Sequence, residues 1–88
     1  MSGPIEIIEQ AAIKVDDTTY SVPRPGRHID VYGYMRSRGV NDLGEQQGFK
    51  TNLRHFVDRK EAREIAERAG QIRAGAIASS DLFSEDLW

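Results

Sequence analysis

The residues best suited to chemistry form the basic loop Arg24-Pro25-Gly26-Arg27-His28, which lies directly before a predicted helix. Helix N-termini present free N–H groups and the positive end of the helix dipole, so anions bind there. Guanidinium groups add forked donors that match phosphate oxygens. If a later helix packs alongside, Arg59 and Gln71 complete the site. The pattern therefore predicts capture of an anion such as a nucleotide by Arg24, Arg27, His28, Arg59 and Gln71.

The same loop has a second interpretation, which the sequence leaves open. Both arginines can pair with an acidic tail or with Asp30, and His28 can cap the helix or lie partly buried. Residues 24–38 and 50–73 are net positive and the segments around them are net negative. Such alternation fits a local cationic pocket, but it also fits ordinary balance among solvated surface charges.

Recognised catalytic motifs are missing from the sequence. The chain has no Cys, and His28 and His55 are its only histidines, so a thiol nucleophile and a zinc site of cysteine type are excluded. It has no P-loop, no HExxH and no GxSxG motif. We therefore expect no catalytic residues, no metal and no cofactor. A small phosphodiesterase-like enzyme that uses His28 or His55 remains an alternative.

Composition limits the partners. The net charge is −2, which argues against nucleic acid, and the aromatic residues are too few on one strand face to stack RNA bases. No apolar stretch is long enough to span a membrane, and Met1–Pro4 do not begin a signal peptide. We therefore expect a cytoplasmic protein. A chain of 88 residues makes one domain with a small core, which a homo-oligomer would support.

A β-hairpin is predicted before the basic loop. Apolar and polar residues alternate toward the end of Ala11–Val15, and Thr19–Val22 is rich in β-forming residues. Between them, Asp16-Asp17-Thr18 is a turn cluster, because short polar side chains bond their own backbone. Pro23-Arg24-Pro25-Gly26 ends the ladder, because proline has no N–H donor.

A helix is predicted from Arg27 to Arg38, with Gly39 as its stop. The residues at helical spacing that we expect on its inner face are His28, Ile29, Tyr32 and Met35, flanked by Val31. Residues 40–47 have the composition of a loop. A second hairpin then follows, with Gln47–Thr51 and His55–Val57 as strands. Its turn lies at Asn52, a residue that tolerates positive φ.

The clearest local pattern is an amphipathic helix that begins at Asp58 and ends at Gly70. Asp58 can cap it, and Glu61 can reach back as in a capping box. The apolar stripe comprises Ala62, Ile65, Ala66 and Ala69. Four charged residues are expected to face water: Arg63, Glu64, Glu67 and Arg68.

The last eight residues, 81–88, are unusually apolar for a terminal segment. Leu82, Phe83, Leu87 and Trp88 would each forgo about 1.5–3 kcal/mol if they stayed in water. We therefore expect a docking tail, with Ser84 opening a last helical turn. Phe83, Leu87 and Trp88 either clasp the protein's own fold or form an interface with a second subunit or another protein.

Together these elements predict an α+β fold: a small two-layer domain with a β-hairpin, a helix, a second β-hairpin, a helix and a docked C-terminal tail. The single domain spans residues 1–88, with residues 1–4 frayed. No internal repeat or low-complexity linker interrupts it.

From about Ala12 onward the chain resembles a group of small phage and prophage proteins. The resemblance rests on these segments: Arg27-His28, Gln47-Gly48-Phe49, Phe56-Val57-Asp58-Arg59 with Glu61-Ala62, Gly70-Gln71, and Leu82-Phe83-Ser84-Glu85-Asp86-Leu87-Trp88. It implies a phage product that acts inside the bacterial host cell. Small phage proteins of this size are often antagonists of host factors or host defence, and some act as sponges for nucleotide signals.

Two main hypotheses follow. In the first, the protein is a non-enzymatic binding protein that captures an anionic small molecule, a nucleotide or cyclic nucleotide, to antagonise host defence. In the second, it is an interaction module that inhibits a host protein through its aromatic tail. Fold and context alone do not choose between them.

Overall fold

The fold is a four-stranded antiparallel sheet with two helices, the α+β class that the sequence predicts. The computed structural model describes residues 5–40, 45–76 and 79–88. The strands are β1 (Ile8–Val15), β2 (Thr18–Val22), β3 (Gln46–Thr51) and β4 (Val57–Asp58), in the order β2-β1-β3-β4. The helices are α1 (His28–Ser37) and α2 (Arg59–Arg68), and a short 3₁₀ turn spans Ser84–Asp86. The expected fraying of residues 1–4 and part of the 40–47 loop lie outside the described residues.

The first hairpin forms where predicted, except that Thr18, predicted in the turn, is the first residue of β2. Val15 pairs with Thr18, which leaves Asp16 and Asp17 as a two-residue turn. Asp16 has φ 55°, in the left-handed region that such tight turns require and that Asp tolerates. The turn thereby sets the register of the whole β1–β2 pair.

Both helices pack on the same face of the sheet. Alternation places Ala11, Ile13 and Val15 of β1 on this face, with Phe49 of β3 opposite Ala11. The helices and the tail supply the other buried apolar side chains: Val31, Met35, Ala62, Ile65, Ala66 and Leu82. One continuous core therefore lies between the sheet and the two helices.

Helix α1 has the predicted ends but not the predicted inner face. Gly39 follows it with φ 70°, and the N–H of Val40 donates to the carbonyl of Met35 at 3.0 Å, so the last turn is closed. The prediction that Ile29 faces inward is wrong, because its side chain is 76% exposed. Val31 is fully buried instead.

The second hairpin is shorter than predicted on its return side. His55 is exposed and precedes the strand, because β4 consists of Val57 and Asp58 alone. Asp16 is the only non-glycine with positive φ among the described residues, so Asn52 does not use that conformation. Its amide instead accepts from the N–H of Ile7 and donates to the carbonyl of Ile5, at 2.8 and 2.9 Å.

Helix α2 begins and ends where the sequence predicts. The Asp58 carboxylate accepts from the N–H of Glu61 at 2.8 Å, and Gly70 has φ 69°. The Glu61 carboxylate pairs with Arg54 at 2.6 Å rather than closing a capping box. The prediction that Arg63 faces water is wrong, because Arg63 is 7% exposed and lies between Glu67 and Asp86.

Candidate functional site

The basic loop and the tail form one structure. The Arg24 guanidinium lies 5.6 Å from the centroid of the Trp88 ring, within cation–π range. The Arg27 Nε donates to the backbone oxygen of Trp88 at 2.8 Å, and the indole N–H of Trp88 donates to the carbonyl of Gly26 at 2.8 Å. The structure therefore brings Arg24 and Arg27 together around Trp88 of the tail.

The start of α1 is already partly occupied by the protein's own groups. The N–H of Arg27 donates to the Asp30 carboxylate at 2.8 Å, and the Ser84 hydroxyl lies 3.4 Å from the N–H of His28. A carboxylate in the first turn neutralises part of the positive helix end. An external anion would therefore compete with Asp30 at this position.

His28 lies inside the fold, as the second interpretation of the loop expected. In the neutral tautomer with the proton on Nε2, this atom donates to the carbonyl of Gly48 at 2.8 Å. The unprotonated Nδ1 then accepts from the Ser84 hydroxyl at 3.3 Å. The ring also meets Phe49 edge-on, with centroids 4.9 Å apart. Burial lowers the pKa of His28 below its ordinary value. These contacts join α1, β3 and the tail through one neutral side chain.

Arg59 and Gln71 occupy separate places. The Arg59 guanidinium lies 4.7 Å from the centroid of the Phe83 ring and donates to Gln47. The side-chain amide of Gln71 bonds both backbone groups of Ile8, at 2.7 and 2.9 Å. Gln71 therefore clamps the first residue of β1 to the end of α2. Within the described residues neither side chain hydrogen-bonds to the basic loop, although the Arg59 charge also helps to lower the pKa of His28.

The tail docks on its own domain. Leu82 is fully buried in the core, and Leu87 and Trp88 are partly buried against it. Ser84 opens a 3₁₀ turn, as the sequence predicts. Phe83, at 38% exposure, is the tail aromatic that remains most open to solvent. Of the three residues predicted at an interface, Phe83 therefore has the most surface to offer a partner.

A groove that the sequence did not reveal lies on the sheet face opposite the helices. Strand register places Thr19 and Ser21 of β2 beside Lys14 and Ala12 of β1 on this face, with Lys50 of β3 further along. The groove has a volume of about 410 Å³. Its lining residues are Asp17, Thr18, Thr19, Ser21, Lys50 and His55.

The groove has a mixed polar lining. Hydroxyl side chains from β2, the amine of Lys50, the imidazole of His55 and the carboxylate of Asp17 all line it. A second cleft of about 230 Å³ shares Lys50 and His55 and extends toward Arg54. The signal for this site was the alternation of polar residues along the strands, but the cross-strand register that assembles them is not a local sequence feature.

Two lysines on this face have partners of their own. Lys50 Nζ lies 3.7 Å from a Glu9 carboxylate oxygen, a partly exposed ion pair that contributes little to stability. Lys14 Nζ lies 5.8 Å from the centroid of the Phe56 ring. Among the described residues, no cluster of His, Asp or Glu is suited to hold a metal ion.

Fold and groove define a small α+β protein with an open, polar sheet face. The chain belongs to the phage T4 y16D protein family, whose model matches residues 7–88. This confirms the resemblance to small phage proteins. Comparisons with curated proteins and with solved structures gave no match. Within the described residues, no helix has the length and apolar character needed to cross a membrane.

Proposed function

We propose that this phage-family protein is a non-enzymatic binding protein that captures a small anionic ligand, a nucleotide or cyclic nucleotide, in the groove on the open sheet face. Sequestering such a signal would antagonise host defence. The observation that carries the proposal is one groove in which Lys50 and His55 lie beside hydroxyl side chains of β2.

The groove suits a nucleotide better than the basic loop does. Its volume of about 410 Å³ falls in the range of small-molecule sites, roughly 300–1,000 Å³. Lys50 supplies a point charge for a phosphate, and the threonine and serine hydroxyls both donate and accept. Asp17 supplies an acceptor for ribose or base donors. Lys50 forms a long, partly exposed ion pair with Glu9. In the basic loop, by contrast, Arg24 and Arg27 contact Trp88, and Asp30 occupies the start of α1.

Isothermal titration against linear and cyclic nucleotides tests the proposal. We expect Lys50→Ala to weaken binding of the best nucleotide by about tenfold to a hundredfold, the effect of losing one charge-assisted hydrogen bond. Lys60→Ala is the matched control, because Lys60 is an exposed lysine on α2, which packs on the other face of the sheet. Chromatography of the ligand after incubation should return it intact.

Three results would contradict the proposal. If no nucleotide gives a heat of binding, nucleotides are excluded as the ligand. Loss of binding in Arg24→Ala but not in Lys50→Ala would place the site at the basic loop instead. Release of a cleaved nucleotide would make the protein a phosphodiesterase rather than a sponge.

A host-protein inhibitor acting through the tail is the second candidate. Its support is the exposed Phe83 ring, which stacks on Arg59. Leu87 and Trp88 contribute less, because they pack against the protein's own core. If this candidate is correct, Phe83→Ala abolishes capture of a host protein while the circular-dichroism spectrum stays unchanged.

A further inference from the structure

Strand β2 is an open edge of the sheet. Within the described residues it pairs with β1 alone. A two-residue hairpin makes Val15 and Thr18 a hydrogen-bonded pair, and the pattern then alternates along the strands. The backbone groups of Thr18, Tyr20 and Val22 therefore point to β1, while those of Thr19 and Ser21 point away from the sheet.

This edge lacks the features that usually protect an edge strand. Its sequence, Thr-Thr-Tyr-Ser-Val, carries no charge and no proline. An aromatic pair lies beside it, because the rings of Tyr20 and Tyr34 meet edge-on with centroids 6.4 Å apart. Tyr34 is 39% exposed. The edge thus combines unpaired backbone groups with adjacent apolar surface.

We propose that a second copy of this chain pairs with β2 in antiparallel orientation, with Thr19 of each copy opposite Ser21 of the other. In this register alone, the outward N–H and C=O groups of Thr19 and Ser21 in each copy all bond to the other copy across the two-fold axis. A shift of two residues in one direction would place Thr19 opposite Pro23, which has no N–H. A shift in the other direction would place Ser21 opposite the hairpin turn at Asp17.

The ends of the strand are complementary in charge. In this register the turn at Asp16 and Asp17 of one copy approaches Pro23 and Arg24 of the other. Tyr20 of the two copies would face each other as a non-hydrogen-bonded pair, the position where side chains across a sheet are closest. Opposite charges at the ends and aromatic rings at the centre therefore favour the same arrangement.

The dimer would join two four-stranded sheets into one continuous sheet. The side chains of Thr19 and Ser21 project onto the open face, so the two grooves would lie side by side across the axis. The dimer itself does not depend on what the groove binds, and its tests require no ligand.

Analytical ultracentrifugation over a range of concentrations is the first test. Ser21→Pro removes an outward N–H that the monomer does not use, so we expect the dimer Kd to rise about tenfold or more. Ser21→Ala is the matched control, because it keeps the backbone donor and should leave the Kd within about twofold. A wild-type protein that stays monomeric at millimolar concentration would overturn the proposal.

Oxidative cross-linking tests the register in a chain that has no native Cys. The double variant Thr19→Cys with Ser21→Cys places facing thiols on the two copies and should give a covalent dimer. Thr19→Cys alone should not, because residue 19 faces residue 21 rather than its own copy. Equal cross-linking of both variants would contradict the register.

A charge exchange gives a third readout that does not disturb the strand. Asp17→Arg alone and Arg24→Asp alone should each raise the dimer Kd, since each places like charges at both ends. The double variant should restore wild-type association. Additive weakening in the double variant would show that these ends do not meet, and would overturn the proposed arrangement.

Discussion

The Nε2 atom of His28 lies 2.8 Å from the carbonyl oxygen of Gly48, so the first residue of α1 is bonded directly to β3. The other ring nitrogen faces the Ser84 hydroxyl of the tail. A residue predicted to bind a ligand therefore connects three elements of the fold. Its position has a measurable consequence for stability at mildly acid pH.

Acidification should destabilise the protein through His28. Burial lowers the pKa of His28 below its ordinary value of 6.5, so the unfolded chain binds more protons in the interval just below 6.5. The free energy of unfolding is therefore highest above pH 6.5 and falls as the pH drops toward the folded-state pKa. The slope contributed by one proton is at most about 1.4 kcal/mol per pH unit. Urea unfolding at a series of pH values from 7.5 to 5 measures this slope.

Removing the titrating ring should flatten this pH dependence. His28→Gln keeps a donor near Gly48 but cannot take up a proton, so its unfolding free energy should vary less between pH 6.5 and 5. His55→Gln, which makes the same substitution at an exposed histidine, is the matched control. The Glu6 carboxyl, whose pKa is lowered from 4.5 by its hydrogen bond with Arg54, titrates below this interval. An unchanged slope in His28→Gln would contradict the assignment.

Neighbouring tail residues should differ sharply in their contribution to stability. Leu82 is fully buried, so Leu82→Ala should lower the free energy of unfolding by about 2–5 kcal/mol. Phe83→Ala removes a ring that is 38% exposed and stacks on Arg59, so its cost should stay near 1 kcal/mol. Urea unfolding at pH 7.5 compares them. Equal costs would show that the tail does not dock as described.

Replacing glycine by alanine should change the stability of the protein in opposite directions at two positions. A Cβ at Gly48 would collide with the carbonyl oxygen of Val57 and the ring of Phe56, so Gly48→Ala should cost about 1–3 kcal/mol. A Cβ at Gly33 meets no atom within 4 Å on the surface of α1, so Gly33→Ala should stabilise by up to about 1 kcal/mol. Thermal unfolding, monitored by circular dichroism, shows whether each substitution raises or lowers the melting temperature.

The buried ion pair between Arg63 and Asp86 should be strongly coupled. Arg63 Nη1 lies 3.5 Å from an Asp86 carboxylate oxygen, and each residue is 7% exposed. Asp86→Asn leaves the guanidinium without this partner and should cost about 1–3 kcal/mol. In an Arg63→Met background the same substitution should cost clearly less. A double-mutant cycle by urea unfolding measures the difference, and strict additivity would contradict the coupling.

Local patterns in the sequence predicted the elements well. Asp16 and Asp17 mark the hairpin turn, Asp58 caps α2, and Gly39 and Gly70 end the helices with positive φ. Each of these signals depends on residues within a few positions of one another. The helix ends and the first hairpin could therefore be read before any tertiary contact was known.

Contacts between residues far apart in the chain could not be predicted from these local patterns. Arg63 has the charge of a surface residue, and only the fold of the tail brings Asp86 to it. Gln71 resembles a solvated loop residue, yet it clamps Ile8, which is 63 positions away. The groove was missed for the same reason, because Lys50 and Ser21 meet across a sheet whose strand order the sequence does not specify.

The buried tail also determines when the protein can finish folding. Leu82 follows every strand and both long helices in chain order, yet it is fully enclosed by them. Chains emerge from the ribosome N-terminus first, so β1 to α2 are exposed before Leu82 and Ser84 leave the exit tunnel. Until then the site that Leu82 fills is open and His28 lacks its serine partner. The native core therefore cannot close before residues 82–84 have left the ribosome.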